Sequence, residues 1–576
     1  MRWAPLVLSA LLSVAAAGRD LGHAGKRHKE HSEARAEHAS PRDHFADGLP
    51  LLDRQAKSGP LFLNANTSKF AVDGKKIPDV NFDVGESYAG SLPISSDPKE
   101  KSNLFFWFFP STNPAAKKEI LIWLNGGPGC SSFEGLLQEN GPFVWQYGTF
   151  KPVANPWSWT TLTNVVWVEQ PVGTGFSTGK VTATSEEDVA KQFLGWFKNF
   201  VDTFGMHGYK VYIAGESYAG LYCPYIASAM VDAKDTTYYK ISGMVIYDPV
   251  ITWDEVQEPI PTLQFTEYWG GLFPFNETFR AQLKAADAKC GYSAWVDKYL
   301  VYPPKGHIPM PLPGTGKDGK TTDECWNIYW GVWDAITWIN PCFDIYQVAT
   351  TCPLLWDVLG FPGSIPYLPD GAAIYFDRAD VKAAIHAPNV TWEECSSNEV
   401  FVGGVDKSLP SFLHAIPNVV DKTKNVIIAH GALDMILLAN GTLLAIQNMT
   451  WGGQLGFSRR PTDPFYVPYN DHADSDSTLA AGGVFGSVLT ERGLSYVGVD
   501  LAGHMIPQYA PSAAYRQLEF LLGRVACLNC TAPFTTDVKA PQSAQRLGLG
   551  TAPQGWSTAS SHPHGPGRRR AQKMKK

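Results

Sequence analysis

"VYIAGESYAGLYCPYIA", residues 211–227, sets a short β-branched and aromatic run against a longer stretch whose apolar residues recur with helical spacing. Between them stands Gly215-Glu216-Ser217-Tyr218-Ala219, a G-x-S-x-A turn one glycine short of the full nucleophile elbow. Lys210 to Ala214 predicts a strand and Ser217 to Asp232 a helix, so Ser217 is expected on a tight strand-to-helix turn. The pentapeptide alone is weak, since a buried structural serine in a loop fits it as well. Its flanks make it usable. The glutamate set directly before the serine is what needs a reason.

Outward from this turn, six further runs read as strands: "NLFFWFF" (103–109), "EILIWLN" (119–125), "NVVWVEQ" (164–170), "GMVIYDPVI" (243–251), "NVIIAHG" (425–431) and "LSYVGVD" (494–500). Helical stretches such as Glu186 to Phe204 alternate with several of them. That alternation implies an α/β domain with a mostly parallel sheet covered on both faces. Between about 252 and 370 the rhythm breaks into a segment rich in tryptophan, proline and glycine that holds four cysteines. It is expected to be a disulfide-stapled insertion roofing the sheet. The folded domain is expected over 60–532 and a disordered tail over 533–576.

The first 17 residues, with Arg2, an apolar run from Leu6 to Ala17 and an A-x-A site at 15–17, read as a cleaved secretory signal, too short to anchor in a bilayer. Residues 18–59 carry five of the fourteen histidines among dense charges, a pro-segment pattern with Lys26-Arg27 as a processing site; their spacing fits no metal-ligand geometry. Sequons at Asn66, Asn276, Asn389, Asn440, Asn448 and Asn529 are glycosylation candidates. The expected destination is the secretory pathway, extracellular or vacuolar. Nine cysteines in that setting predict mostly disulfides with at least one thiol left over. Cys527 and Cys530 are expected to form a structural disulfide, because no second C-x-x-C or histidine pair completes a metal site. Neither metal nor cofactor is expected. A net charge of −7 argues against nucleic acid or an anionic membrane as partner.

A nucleophilic serine needs a base and an acid to hold that base, and on an α/β-hydrolase fold the chain order is Ser, Asp or Glu, His. Of the later histidines, His504 follows a strand-like run and sits in "VDLAGHMIP", expected to be a flexible loop from which the ring swings toward Ser217. His430 precedes the best acid and is read as an internal hydrogen-bonded histidine. For the acid, Asp434 is preferred to Asp248, while its role as a helix cap for "MILLANGTLLAIQNM" stays open. The strand ending in Asn125-Gly126-Gly127-Pro128-Gly129 exposes backbone N–H groups that, with that of Tyr218, can form an oxyanion hole. A plain tight turn is the other reading of those glycines.

"WLNGGPGCSS" (123–132), "ENGPF" (139–143), "NPWSW" (155–159), "EQPVGTGFS" (169–177), "GESYAG" (215–220) and "GHMIP" (503–507), in this order, resemble the serine carboxypeptidase family, nearest to its secreted fungal branch. The likeness spans roughly 61–530 and the set is highly specific. It implies a triad of Ser217, Asp434 and His504, oxyanion N–H groups from Gly127 and Tyr218, and a grip on the substrate's terminal carboxylate by Asn125, Gly126, Glu139 and Glu216. It also implies a Cys130–Cys395 disulfide. The chain departs from the family pattern at Glu169, where aspartate is usual, and at "YDP" (247–249), where "GNG" is usual.

The glutamate before the serine then has a reason. Two carboxyl groups held together do not both ionise cheaply, so the Glu139/Glu216 pair is expected to keep a proton under acidic conditions and to accept a peptide's terminal carboxylate. The implied function is a serine-type carboxypeptidase acting on peptides with a free C-terminus through an acyl-enzyme. An acyltransferase on the same scaffold, or a secreted binding protein that has lost catalysis, are the alternatives; relatives of the first kind carry aspartate at the Glu216 position, and the second is expected to show a broken triad.

Overall fold

The computed structural model describes residues 59–360, 368, 371–470 and 482–536. The expected signal at 1–17, nearly all of the pro-segment and residues 537–576 lie outside the described residues. Eleven strands form one sheet: β1 (Ala71–Val72), β2 (Ser87–Pro93), β3 (Asn103–Phe109), β4 (Glu119–Leu124), β5 (Asn164–Glu169), β6 (Lys210–Glu216), β7 (Lys240–Tyr247), β8 (Val426–Gly431), β9 (Asp463–Val467), β10 (Gly483–Glu491) and β11 (Leu494–Val499). Their spatial order is β1-β2-β3-β5-β4-β6-β7-β8-β11-β10-β9. The central strands β5, β4, β6, β7, β8 and β11 run parallel. Antiparallel strands complete both flanks.

The parallel strands β4, β5 and β8 are buried at every position, which is why they read as continuous apolar runs. Their side chains still alternate between two layers. Ile120, Ile122 and Leu124 enter the core under helices α1 (Glu186–Phe204), α2 (Ala219–Ala233) and α5 (Ala415–Thr423), against Phe193, Phe197, Phe200, Ile226 and Val419. Leu121 and Trp123 enter the opposite core with Trp107, Trp167 and Tyr515 of α7 (Pro511–Leu521). Each such buried side chain contributes about 1.5–3 kcal/mol. Helix α1 starts where Glu186, Glu187 and Asp188 complement the positive end of its dipole and stops at Gly205, whose φ of 68° a side chain rarely adopts.

The excursion between β7 and β8 carries α3 (Glu277–Cys290) and α4 (Asp323–Ile339), stapled by disulfides Cys290–Cys325 and Cys342–Cys352. It has its own core of Phe273, Tyr292, Val332 and Phe343, closed by Leu433 and Met435 from the loop after β8 and by Leu444 of α6 (Ala439–Gln447). By Tyr375 and Phe376 the chain has rejoined the core of the sheet. At the other end the fold runs past the expected boundary at 532. Phe534 packs its ring on Trp157 at 5.1 Å, and Thr535 donates its N–H and hydroxyl to Glu519 at 2.5 and 2.6 Å.

Candidate active site

All central strands point the same way, so their C-terminal ends share one edge of the sheet. There β6 delivers Ser217, β7 delivers Asp248, β8 delivers Asp434 and β11 delivers His504, from strands that are consecutive neighbours. Ser217 turns the chain from β6 into α2 with φ of 60°, a conformation that costs a non-glycine residue about 1–3 kcal/mol. Its surroundings hold it: Ser217 N–H donates to Tyr247 O at 3.0 Å, and Ser217 O accepts from Gly220 N and Val250 N, both at 2.9 Å. Gly215 allows the turn to close, since a Cβ there would lie 2.4 Å from Leu124 O.

His504 Nδ1 donates to Asp434 Oδ2 at 2.8 Å. That bond sets the tautomer and leaves Nε2 with its lone pair and no hydrogen-bond partner among the described residues. The expectation of a swinging loop is overturned. His504 is 2% exposed, its backbone N–H donates to Tyr346 O at 2.7 Å, and its ring stands edge-on to Tyr346 at 5.2 Å. Nor is Asp434 a helix cap, because α6 begins only at Ala439; its Oδ1 instead accepts from Leu437 N–H at 3.3 Å. His430 is hydrogen-bonded internally, Nε2 to Leu437 O at 2.7 Å and Nδ1 to Thr442 Oγ1 at 3.1 Å. With both ring nitrogens engaged, the buried group of Asp248, His430 and Asp434 does not fit a cation.

On the other side of Ser217, the loop after β4 presses against the turn that carries the serine. A Cβ on Gly126 would lie 2.5 Å from Tyr218 N and 2.8 Å from Ser217 Cβ. Tyr222 of α2 pins the same loop through a bond from Gly129 N–H to its hydroxyl at 3.2 Å, and Cys130 is disulfide-bonded to Cys395. Glu169, buried, accepts from Ser131 Oγ, Phe176 N–H and Trp392 Nε1. Burial pushes its pKa up to about 7 against those three bonds. The departure from the family pattern thus braces the disulfide loop and does not face the nucleophile.

Asn125 organises the carboxyl groups. Its Oδ1 accepts from Trp123 Nε1 at 2.7 Å, which orients Nδ2 toward Glu216 at 2.8 Å and toward Glu139 and Glu134 at 3.4 Å each. Glu139 and Glu216 are each 3% exposed. Burial pushes Glu139 up to about 8, opposed by hydrogen bonds from Glu216 and Asn125; burial and the charges of Glu139 and Glu134 push Glu216 well above the usual range. Each leaves one oxygen, Oε2, without a partner among the described residues. Such a set takes up a carboxylate by donating the proton it holds.

The family model for serine carboxypeptidases matches residues 78–523. The chain belongs to the serine carboxypeptidase family. It is 56% identical over 538 residues to the "Probable serine carboxypeptidase" of Arthroderma benhamiae, covering 91% of this chain and 98% of the relative. It is 47% identical over 491 residues to the serine-type carboxypeptidase F of Aspergillus niger, covering 83% and 90%. In fold it is similar to the crystal structure of a prohormone-processing carboxypeptidase from Saccharomyces cerevisiae, with a TM-score of 0.61 at 22% identity, covering 81% of this chain and 98% of that one.

Not every candidate in this serine carboxypeptidase is placed as expected. Asn448 is buried, and its Oδ1 accepts from Ile308 N–H at 2.8 Å, so a glycan has no access there. Asn66, Asn276, Asn389 and Asn529 are exposed and Asn440 is half-buried. Cys527 and Cys530 are paired, which leaves Cys223, buried in α2, as the free thiol. Glu134 was missed. It lies in "SSFEG", five residues before Glu139, and nothing in that local pattern marks it as facing Asn125.

The buried acids make stability depend on pH. Glu139 and Glu169 hold protons in the folded state that the unfolded chain releases at ordinary carboxyl values, so unfolding releases protons in the interval from 4.5 to about 8 for Glu139 and to about 7 for Glu169. Stability therefore falls as pH rises through that interval. The melting temperature of the serine carboxypeptidase is expected to decline across it, with a shallower decline for Glu139→Gln. Thermal scans in a buffer series would show a flat or rising profile if these groups were ordinary surface carboxylates.

Proposed function

We propose that Ser217 is the nucleophile, His504 the base and Asp434 the acid that orients it. The observation that carries this is the 2.8 Å bond from His504 Nδ1 to Asp434, with Nε2 unengaged, on the sheet edge that bears the strained Ser217 turn. Ser217 Oγ attacks the last peptide carbonyl as His504 Nε2 takes its proton. The oxyanion is received by the N–H groups of Gly127 and Tyr218. The proton then passes to the amine of the departing C-terminal amino acid. Water, deprotonated by His504, cleaves the ester and releases the shortened peptide.

Asn125, Gly126, Glu139 and Glu216 hold the substrate's terminal carboxylate, which turns a general serine hydrolase into an exopeptidase. The route is secretory, supported by the disulfides and by sequons left exposed; no helix among the described residues is long and apolar enough to cross a membrane.

The pH dependence tests the carboxylate grip. For a peptide acid, kcat/KM is expected to be highest under acidic conditions and to fall as the Glu139/Glu216 pair ionises and repels the substrate. A C-terminally amidated peptide carries no such charge, and its hydrolysis should persist to higher pH. The double variant Glu139→Gln, Glu216→Gln should flatten the fall for the peptide acid. Coincident profiles for acid and amide in the wild-type enzyme would remove the two glutamates from this role and leave the triad standing.

A further inference from the structure

Tyr247-Asp248-Pro249 puts a second carboxyl beside that of Asp434. Asp248 lies directly after β7, fully buried, with φ of 43°. Its Oδ1 accepts from Gly431 N–H at 2.7 Å, and its Oδ2 meets no donor among the described residues. Asp434 is equally buried, and its two oxygens accept from His504 Nδ1 and Leu437 N–H. The two carboxyl groups approach within 4.8 Å, and two carboxyls side by side can hydrogen-bond only across a proton.

We infer that Asp248 stands beside the triad as a neutral carboxylic acid whose hydroxyl donates to Asp434, a positioning residue that moderates the charge of Asp434 and so extends activity to lower pH.

This rests on the triad proposed above. The groups around Asp248 leave no other source of compensation. His430 Nε2 is 3.5 Å from Asp248 and 3.6 Å from Asp434, but its N–H goes to Leu437 O, and burial holds its pKa below the ordinary value, which disfavours its cation. Glu139, Glu216, Tyr247 and Tyr496 also feel Asp248, and none is a cation. Among the described residues only protonated His504, on the far side of Asp434, brings positive charge. Two buried carboxylates with at most one cation do not both ionise. The proton resides on Asp248 because that carboxyl has a single backbone donor while Asp434 has the imidazole as well; burial and the Asp434 charge push Asp248 well above the usual range. A bond donated to Asp434 draws charge from it. The imidazolium is then stabilised less, and the acid limb of activity lies at a lower pH.

The test is the acid limb of kcat/KM on a C-terminally amidated peptide, where ionisation of the Glu139/Glu216 pair does not intrude, with active sites counted by a serine-directed phosphonate so that misfolded protein drops out. Asp248→Ala removes the donor and is expected to move the limb up by about one pH unit. Asp248→Asn, whose amide N–H replaces the hydroxyl, should hold the limb at its wild-type position. Infrared difference spectra of wild type minus Asp248→Asn at mildly acidic pH should show the carbonyl stretch of a buried protonated acid, a readout that needs no turnover and serves if Asp248→Ala fails to fold. An unmoved limb in Asp248→Ala, or a difference spectrum without that band, overturns the inference. If Ser217→Ala instead keeps its activity, the triad fails, while the infrared band still judges Asp248.

Discussion

Ser217→Ala is expected to lower kcat by about six orders of magnitude, on the scale by which other serine proteases respond to loss of the nucleophile, and to leave the melting temperature close to that of the parent. The hydroxyl is the reacting atom, and the serine side chain contributes little to packing: the strained turn is held by backbone bonds from Ser217 N–H to Tyr247 O and from Gly220 and Val250 to Ser217 O, all of which alanine retains. Residual turnover should come from the oxyanion donors and from binding. A peptide acid should still bind, because Asn125, Glu139 and Glu216 are untouched, and a binding isotherm at acidic pH checks this without catalysis. Near-normal peptidase activity in the purified variant would move the nucleophile elsewhere.

Asp434→Asn should cost about 10⁴-fold in kcat. Asparagine presents an amide where His504 Nδ1 needs an acceptor, so the imidazole loses the partner that sets its tautomer and leaves the Nε2 lone pair facing the serine. KM should change far less than kcat, since Asp434 bonds to His504 and Leu437 and, among the described residues, makes no hydrogen bond to Asn125, Glu139 or Glu216. The same measurement on Asp248→Asn separates the two aspartates. A severe loss there with a mild one at Asp434→Asn would exchange their roles, against the 2.8 Å bond that joins Asp434 to His504.

Much of this architecture is written locally. The seven runs read as strands all become strands, because strands buried on both faces need apolar residues at every position, and the helix from Glu186 to Phe204 has its periodicity and its acidic first turn in plain view. The turn at Ser217 is likewise a short-range signal. The strands left unread, the two-residue β1 and β2, β9 and β10, which glycine or proline interrupts, are flanking ones of mixed exposure, and they take their hydrogen bonds from neighbours that pattern alone does not reveal.

The chain order of serine, aspartate and histidine in the proposed triad, and the glutamate set directly before Ser217, are therefore legible in the sequence itself. What the tertiary structure alone decided is which polar groups lie close enough to share a proton. Asn125 reaches Glu216 across 91 positions and collects Glu139 and Glu134 at the same amide, Asp248 meets Asp434 across two strands, and His504 is held under Tyr346 of the insertion and does not swing freely. Protonation of a carboxyl depends on its distance from water and from other charges, and those distances exist only once strands far apart in the chain have been brought side by side.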